Sequence, residues 1–167
     1  YKGEAFTHIF FAEGYRGKFN PYFNYLPLQL TKGEVLTVQS DVFRKDEILN
    51  RKCFVLPLEN GDFKLGATFS WDTTDTSPTE KARAQLLEQY DQLSNAQIEV
   101  VGQEGGIRPT VTDRRPLIGE HPEFKGLFIF NGMGTKGYMI APYFSQHFVE
   151  YVFENRELDD DVNISRF

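Results

Sequence analysis

An α+β fold, with helices packed on a mixed, mainly antiparallel sheet, is what this sequence predicts. Three observations carry that expectation. Strand-like runs follow one another without an intervening helix across the first half of the chain. Only two stretches, 77–95 and 138–155, carry an apolar stripe at helical spacing. The order of strands, one helix, more strands and a last helix is not the βαβ alternation that builds a parallel sheet.

Taken in order, FTHIFFA (6–12) reads as a buried strand closed by Glu13-Gly14. Residues 14–31 are mixed, and Pro21 and Pro27 break any long element. In GEVLTVQSDVF (33–43), Val35, Thr37 and Gln39 alternate with Leu36 and Val38, a strand pattern. CFVLPLE and DFKLGATFS flank Asn60-Gly61, which predicts a β-hairpin closed by a type I′ turn. In its second strand Phe63, Leu65, Ala67 and Phe69 share one face, and Lys64, Gly66 and Thr68 the other. Ser77 is the expected N-cap of the first helix, with Pro78 at its first position and Glu80 completing a capping box. Ala82, Leu86, Tyr90 and Leu93 form its apolar stripe, and Asn95 its stop. A strand over Ile98–Val101, the segment Gly105-Gly106-Ile107-Arg108-Pro109, a polar turn from Asp113 to Pro116, and Leu117-Ile118-Gly119 follow. The strand GLFIF (126–130) runs into NGMGTKG (131–137) and the last helix. That helix buries Phe144, Phe148, Tyr151 and Val152; Pro142 fits a helix starting near Ala141 and otherwise kinks it. The acidic tail ELDDDVNISRF is expected to be loose.

At 167 residues and 40% apolar composition the chain can bury a core, which excludes wholesale disorder. With 16 Phe and 8 Tyr that core leans on rings. A net charge of -6 and the absence of a basic run argue against a nucleic-acid partner. No apolar stretch reaches the roughly 20 residues of a membrane helix. The lone Cys53 excludes an internal disulfide and fits a reducing compartment, so a cytoplasmic location is expected. The chain opens on Tyr1, close to an apolar strand, and reads as a piece of a longer protein.

Three features could carry chemistry. Gly132-Met133-Gly134-Thr135-Lys136-Gly137 matches G-x-G-x-x-G between a strand and a helix. A dinucleotide fingerprint also needs a following strand and an acidic ribose contact, and neither follows here. The loop therefore reads as a helix N-terminus offering backbone N–H groups to an electron-rich acceptor, or as a sharp helix-entry turn. Arg108 is a surface cation or ion-pair partner, or a guanidinium fork for a substrate carboxylate. Lys64 points at water, or lines a pocket where its charge stabilises developing negative charge. Cys53 reads as packed, and His8, His121 and His147 lack the spacing of a metal site or a triad.

The block GGIRPTVTDRRPLIG (105–119) followed by GLFIFNGMGTKGYMIAP (126–142) resembles the C-terminal part of the FAD-dependent D-amino acid oxidase superfamily, which includes glycine oxidase, D-amino acid dehydrogenase and sarcosine oxidase. Leu65-Gly66-Ala67-Thr68 and PLQLTKGEVL (27–36) resemble the family's substrate domain and its entry, though Arg is commoner in the family where Lys32 stands. The resemblance implies a fragment. Residues 1–31 would end the FAD-binding domain and cross over, 32–104 would form the substrate-binding domain, and 105–167 would return to the FAD-binding domain. A missing N-terminal FAD-binding segment would be the partner of this piece.

The same resemblance implies a catalytic role for Arg108, holding the substrate carboxylate, and for Lys64, near the flavin. Gly132, Gly134, Thr135, Lys136, Gly137 and Tyr138 would contact the cofactor. The implied cofactor is FAD, held non-covalently in the full-length protein and not expected on this piece alone; no metal is expected. The implied reaction is oxidation of the C–N bond of an amino acid or N-substituted glycine by hydride transfer to flavin. Thr135-Lys136 replaces a second Arg that some relatives carry, which leaves the substrate open. The rival readings are a same-scaffold oxidase of another substrate, such as a modified nucleoside amine, and a stand-alone binding module without redox activity.

Overall fold

The computed structural model describes residues 3–71 and 73–167. The chain forms two compact units, Thr31–Ile107 and the pair of stretches Tyr1–Leu30 with Arg108–Phe167. It enters the first of these along one long strand and leaves along another.

The Thr31–Ile107 unit is a sheet with one helix. Its strands are β2 (Leu28–Gln39), β3 (Leu49–Asn50), β4 (Phe54–Pro57), β5 (Phe63–Gly66), β6 (Ser70–Trp71) and β7 (Glu99–Val111); β1 lies in the other unit. The order β3-β4-β5-β2 is antiparallel throughout, β6 pairs with β2 beyond the end of β5, and β7 pairs with β2 as well. The alternation along β2 works as expected, with Leu36 and Val38 fully buried. They meet Cys53, Val55, Phe63 and Leu65 from the sheet and Leu86 and Tyr90 from α1 (Glu80–Asp91) in one core. Ala82, Leu86 and Tyr90 are the buried residues of α1, and Leu93 packs on that core from beyond its end.

Several local expectations give way to tertiary contacts. The hairpin closes through a three-residue loop, with the Gly61 N–H on the Leu58 carbonyl at 3.1 Å and the Leu58 N–H on the Asp62 carbonyl at 2.8 Å. Gly61 alone takes positive φ, at 91°, so this is a turn with a glycine bulge and not type I′. The alternation beyond Gly66 stops because the chain leaves the β4 ladder to pair with β2 again, and Phe69 is exposed. The N-cap of α1 is Thr79, two residues after Ser77; its side chain accepts from the Ala82 N–H at 3.2 Å. Ser77 is drawn away because its carbonyl accepts from Lys32. The expected strand at 98–101 and the Gly105–Pro109 segment are one continuous strand, β7. Its glycines serve close approach: a Cβ on Gly105 would stand 2.5 Å from the Thr76 carbonyl oxygen.

The other unit is built on a three-stranded sheet, β1 (Ile9–Phe11), β8 (Leu117–Glu120) and β9 (Leu127–Asn131), in the order β1-β9-β8. β1 runs parallel to β9, and β8 antiparallel to it. Phe23, Leu26, Leu28, Val111, Leu117, Ile129 and Ile164 form one buried cluster. Helix α2 (Gly137–Glu154) packs Phe148 against Ile118 and Phe128, with Phe144, Tyr151 and Val152 partly buried around them. It starts well before Ala141, so Pro142 lies inside it. The N–H that Pro142 lacks would have met the carbonyl of Tyr138, a residue 98% exposed, where water can take its place.

The tail is docked rather than loose. Leu158, Val162 and Ile164 are buried, the Ile118 N–H donates to the Val162 carbonyl at 3.0 Å, and Asn163 bridges to Ile118. The three aspartates lie between apolar anchors at 158, 162 and 164, so their charge stays at the surface while the backbone is held.

Two stability measurements check this account. Leu86→Ala should lower the free energy of denaturant unfolding by about 2–5 kcal/mol, because Leu86 is fully buried where α1 meets the sheet; a change within about 0.5 kcal/mol would contradict that packing. Removing residues 158–167 should lower the thermal midpoint clearly, since three buried side chains leave with them; an unchanged midpoint would mean the tail is loose after all.

Candidate functional site

The unit of Tyr1–Leu30 with Arg108–Phe167 gathers most of the candidate residues. The turn after β9 is anchored by Asn131, which is buried. Asn131 Oδ1 accepts from the Gly132 N–H at 2.8 Å, and its Nδ2 donates to the Gly14 carbonyl at 2.8 Å. Gly132 is buried with φ 72°, and a Cβ there would stand 2.7 Å from Val111 Cγ2. Only glycine permits that approach. Gly134 also takes positive φ, at 59°, and opens a 3₁₀ turn over Gly134–Lys136 that leads into α2. Thr135 and Lys136 are exposed on that turn. Gly137 is the first residue of α2, and Tyr138 is almost wholly exposed.

The result is a helix N-terminus without a side-chain cap. The 3₁₀ turn runs straight into it, and the positive end of this 18-residue helix lies beside exposed Tyr138 and Met139. Arg108 is half-buried on β7, and burial lowers the pKa of its guanidinium from the ordinary value, which leaves it charged at any working pH. The end of β7 borders the glycine turn: Val111 packs on Gly132, and Thr110 Cγ2 would lie 3.8 Å from a Cβ on Gly134. The Thr110 hydroxyl donates to the Gln29 carbonyl at 3.2 Å, fixing the same stretch of strand. Arg108 and the Gly132–Gly137 loop thus belong to one unit, on neighbouring segments.

Lys64 stands in the other unit, on β5. Its ammonium pairs with the carboxylate of Glu104 on β7 and donates to the Thr37 hydroxyl at 3.0 Å. It is neither a bare solvent lysine nor an isolated charge. Glu104 had no signal in the sequence, because 40 residues separate the partners. Asn131 did have one, an amide side chain directly before a glycine that must take positive φ.

Of the other reactive residue types, Cys53, His121 and His147 are structural. Cys53 is buried in the Thr31–Ile107 core, and burial pushes its thiol pKa up. His121 Nδ1 accepts from the N–H groups of Glu123 and Phe124 at 3.1 and 3.2 Å, so its Nε2–H donates to the Tyr22 carbonyl at 3.0 Å. His147 Nε2 accepts from the Asp159 N–H at 3.1 Å and holds the tail. Among the described residues no cluster of three or more His, Cys, Asp or Glu could hold a metal.

Comparison with known proteins falls on the same architecture. The profile of the FAD-dependent oxidoreductase family of D-amino acid oxidase type matches residues 2–151. Glycine oxidase of Geobacillus kaustophilus is 30% identical over 115 residues, 68% of this chain and 29% of that enzyme. Its crystal structure superposes with a TM-score of 0.73 over 90% of this chain and 42% of that one, at 27% identity. The tRNA 5-methylaminomethyl-2-thiouridine biosynthesis bifunctional protein MnmC of Idiomarina loihiensis is 28% identical over 125 residues, 71% of this chain and 20% of that protein. Iminodiacetate oxidase of Chelativorans sp. BNC1 shares the fold, with a TM-score of 0.81 over 95% of this chain and 46% of that one, at 18% identity. The chain spans about a third or less of the length of the curated relatives it matches. With a family profile running along nine-tenths of its length, the chain belongs to the FAD-dependent oxidoreductase family of D-amino acid oxidase type.

Proposed function

We propose that this chain supplies the substrate-binding part and one flavin-contacting edge of an enzyme that oxidises the C–N bond of an amino acid or N-substituted glycine. The single observation that carries the reading is the uncapped N-terminus of α2, reached through a glycine turn anchored by Asn131 and bordered by the Arg108 strand. Such an end suits the electron-rich pyrimidine edge of a flavin, so the residues present fit FAD. When bound, FAD supplies the hydride acceptor. The unit with Arg108 and the glycine loop is assigned to the flavin domain, and Thr31–Ile107 to the substrate domain.

The chain's own residues would then act as follows. Arg108 receives the substrate carboxylate with two parallel N–H donors and orients the Cα–H bond. Gly134 would leave room for close approach of a flat ring, Gly132 and Gly137 would set the turn that presents it, and Thr135, Lys136 and Tyr138 would lie along the same edge. Lys64, kept in place by Glu104 and Thr37, contributes a positive charge from the substrate sheet. No strong base is required, because the amine need only react in its neutral form. The imine product is hydrolysed by water.

The buried, structural setting of Cys53 supports non-covalent retention of the cofactor. An apolar groove lined by Phe10, Phe130, Phe148, Val149, Val152 and Phe153 on β1, β9 and α2 supports packing against a further FAD-binding segment. No helix among the described residues is long and apolar enough to cross a membrane. The single, unpaired Cys53 fits a reducing compartment, and on that ground we assign the enzyme to the cytoplasm.

A second reading, oxidation of an alkylamine on a modified nucleoside, is favoured by the likeness to MnmC, whose name places it in the biosynthesis of a methylaminomethyl-thiouridine of tRNA. The net charge of -6 weighs against docking a tRNA.

In the flavin-loaded enzyme, Arg108→Ala should raise KM for a glycine-type substrate on the order of tenfold to a hundredfold, the worth of a charge-assisted carboxylate contact. Arg108→Lys should recover only part of the loss. Unchanged kinetics in the Ala variant with every amino acid tried, alongside turnover of a modified nucleoside amine, would favour the second reading. The 167-residue chain by itself should bind FAD weakly, as followed by flavin fluorescence; tight stoichiometric loading would contradict the division of labour proposed here.

A further inference from the structure

The Thr31–Ile107 unit buries an ion pair that the proposed chemistry does not use. Lys32 and Glu34 occupy alternate positions on β2, their side chains are 6% and 5% exposed, and Nζ stands 3.3 Å from Oε1. Two charges taken out of water destabilise a fold unless their remaining hydrogen-bonding capacity is met. Here it is met almost wholly by one segment of chain. Lys32 Nζ donates to the Ser77 carbonyl at 2.6 Å. Glu34 Oε1 accepts from the Thr79 hydroxyl at 2.9 Å, and Oε2 accepts from the Thr79 N–H at 2.8 Å. Gln103 of β7 completes the set, donating from Nε2 to Glu34 Oε2 at 2.8 Å and to the Thr79 carbonyl at 2.9 Å.

Among the described residues what these bonds hold has no buried apolar anchor. Residues 73–79 belong to neither strand nor helix, and no residue from 73 to 81 is buried. Among the described residues the first buried side chain after β6 is Ala82, in α1. Gly105 lets the segment lie flat: a Cβ there would stand 2.5 Å from the Thr76 carbonyl oxygen and 3.3 Å from Lys32 Cε. A strap with polar anchors and no apolar ones can open without exposing the core, which is the condition for local rather than global unfolding.

We propose that the Lys32–Glu34 pair is a latch that fastens the strap of residues 73–79 and the first turn of α1 to the sheet, and that neutralising Glu34 releases the strap as a local unit. Among the described residues the charged group facing Glu34 is Lys32 on its own strand, whose charge also reaches Asp75 on the strap. β7 contributes the neutral Gln103, and the chain after β5 the Thr68 hydroxyl, which accepts from the Glu34 N–H at 2.9 Å. Burial works against the charged form of Glu34, but the Thr79 N–H, Gln103, the Thr79 hydroxyl and Lys32 together outweigh it and hold the carboxyl below the ordinary glutamate range. A lowered carboxyl pKa means the latch is closed at neutral pH and is lost as pH falls through that lowered value. The device is independent of flavin and substrate.

Amide hydrogen exchange read by mass spectrometry on the 167-residue chain tests it. In Glu34→Gln at neutral pH, peptides covering the strap and the first turn of α1 should exchange on the order of tenfold faster, while peptides of β4 and β5 keep their wild-type rates. Lys32→Met should give the same pattern. Unchanged strap exchange would overturn the proposal, and so would an equal rise in every peptide, because the pair would then serve the whole unit. Should either variant fail to fold, the wild-type chain decides. Exchange corrected for intrinsic rates should rise in the strap first as pH falls below the ordinary glutamate range, and a loss of protection shared by all peptides would count against the latch.

Discussion

The parallel pairing of Ile9–Phe11 with Leu127–Ile129 is the constraint on which the candidate flavin edge depends. It joins segments more than a hundred residues apart and places β9 in the middle of its sheet, with β8 on the other side. Once β9 is fixed, Asn131 at its end reaches the Gly14 carbonyl, and the turn at Gly132 is set between Val111 and Leu117. Helix α2 then starts where that turn delivers it, and Phe148 locks it onto Ile118 and Phe128. The exposed helix end, which has no side-chain cap, is thus held by buried contacts behind it, which keeps the candidate edge in place before any ligand arrives. Gly17 shows how tight the arrangement is, since a Cβ there would stand 2.5 Å from Asn131 Nδ2.

Much of this was legible in the sequence, because it rests on local periodicity or local turn chemistry. The stripe Ala82, Leu86, Tyr90 predicted the buried face of α1, and Leu36 and Val38 the buried face of β2. The strand, glycine turn and helix from 127 to 154 could be read directly, as could the family block that contains Arg108. The misreadings have distant causes. Thr79 rather than Ser77 caps α1 because Glu34, 45 residues earlier, binds the Thr79 N–H and hydroxyl. The tail was expected to be loose because its three aspartates dominate its composition, while the anchors at Leu158, Val162 and Ile164 follow no helical or strand period. The Lys64–Glu104 pair joins β5 to β7, and neither strand's own sequence names the other.

The two units hold their charged groups in different ways. Arg108 is half-buried on a strand whose end borders the glycine turn. Lys32 and Glu34 are closed off and spend their hydrogen bonds on the chain itself. Lys64 lies between these cases, partly exposed and already paired with a carboxylate. Burial of charge by itself therefore does not mark the candidate site residues here.

The central claim is that the enzyme carrying this chain oxidises the C–N bond of a small amino acid or N-substituted glycine. Anaerobic mixing of the flavin-loaded full-length enzyme with glycine and N-methylglycine, followed by the visible absorbance of the flavin, tests it most directly. The account predicts that at least one of these substrates bleaches the flavin in a single phase, and that deuterium at the substrate Cα slows that phase. Bleaching by an amine that has no carboxylate, with neither glycine compound reacting, would contradict it.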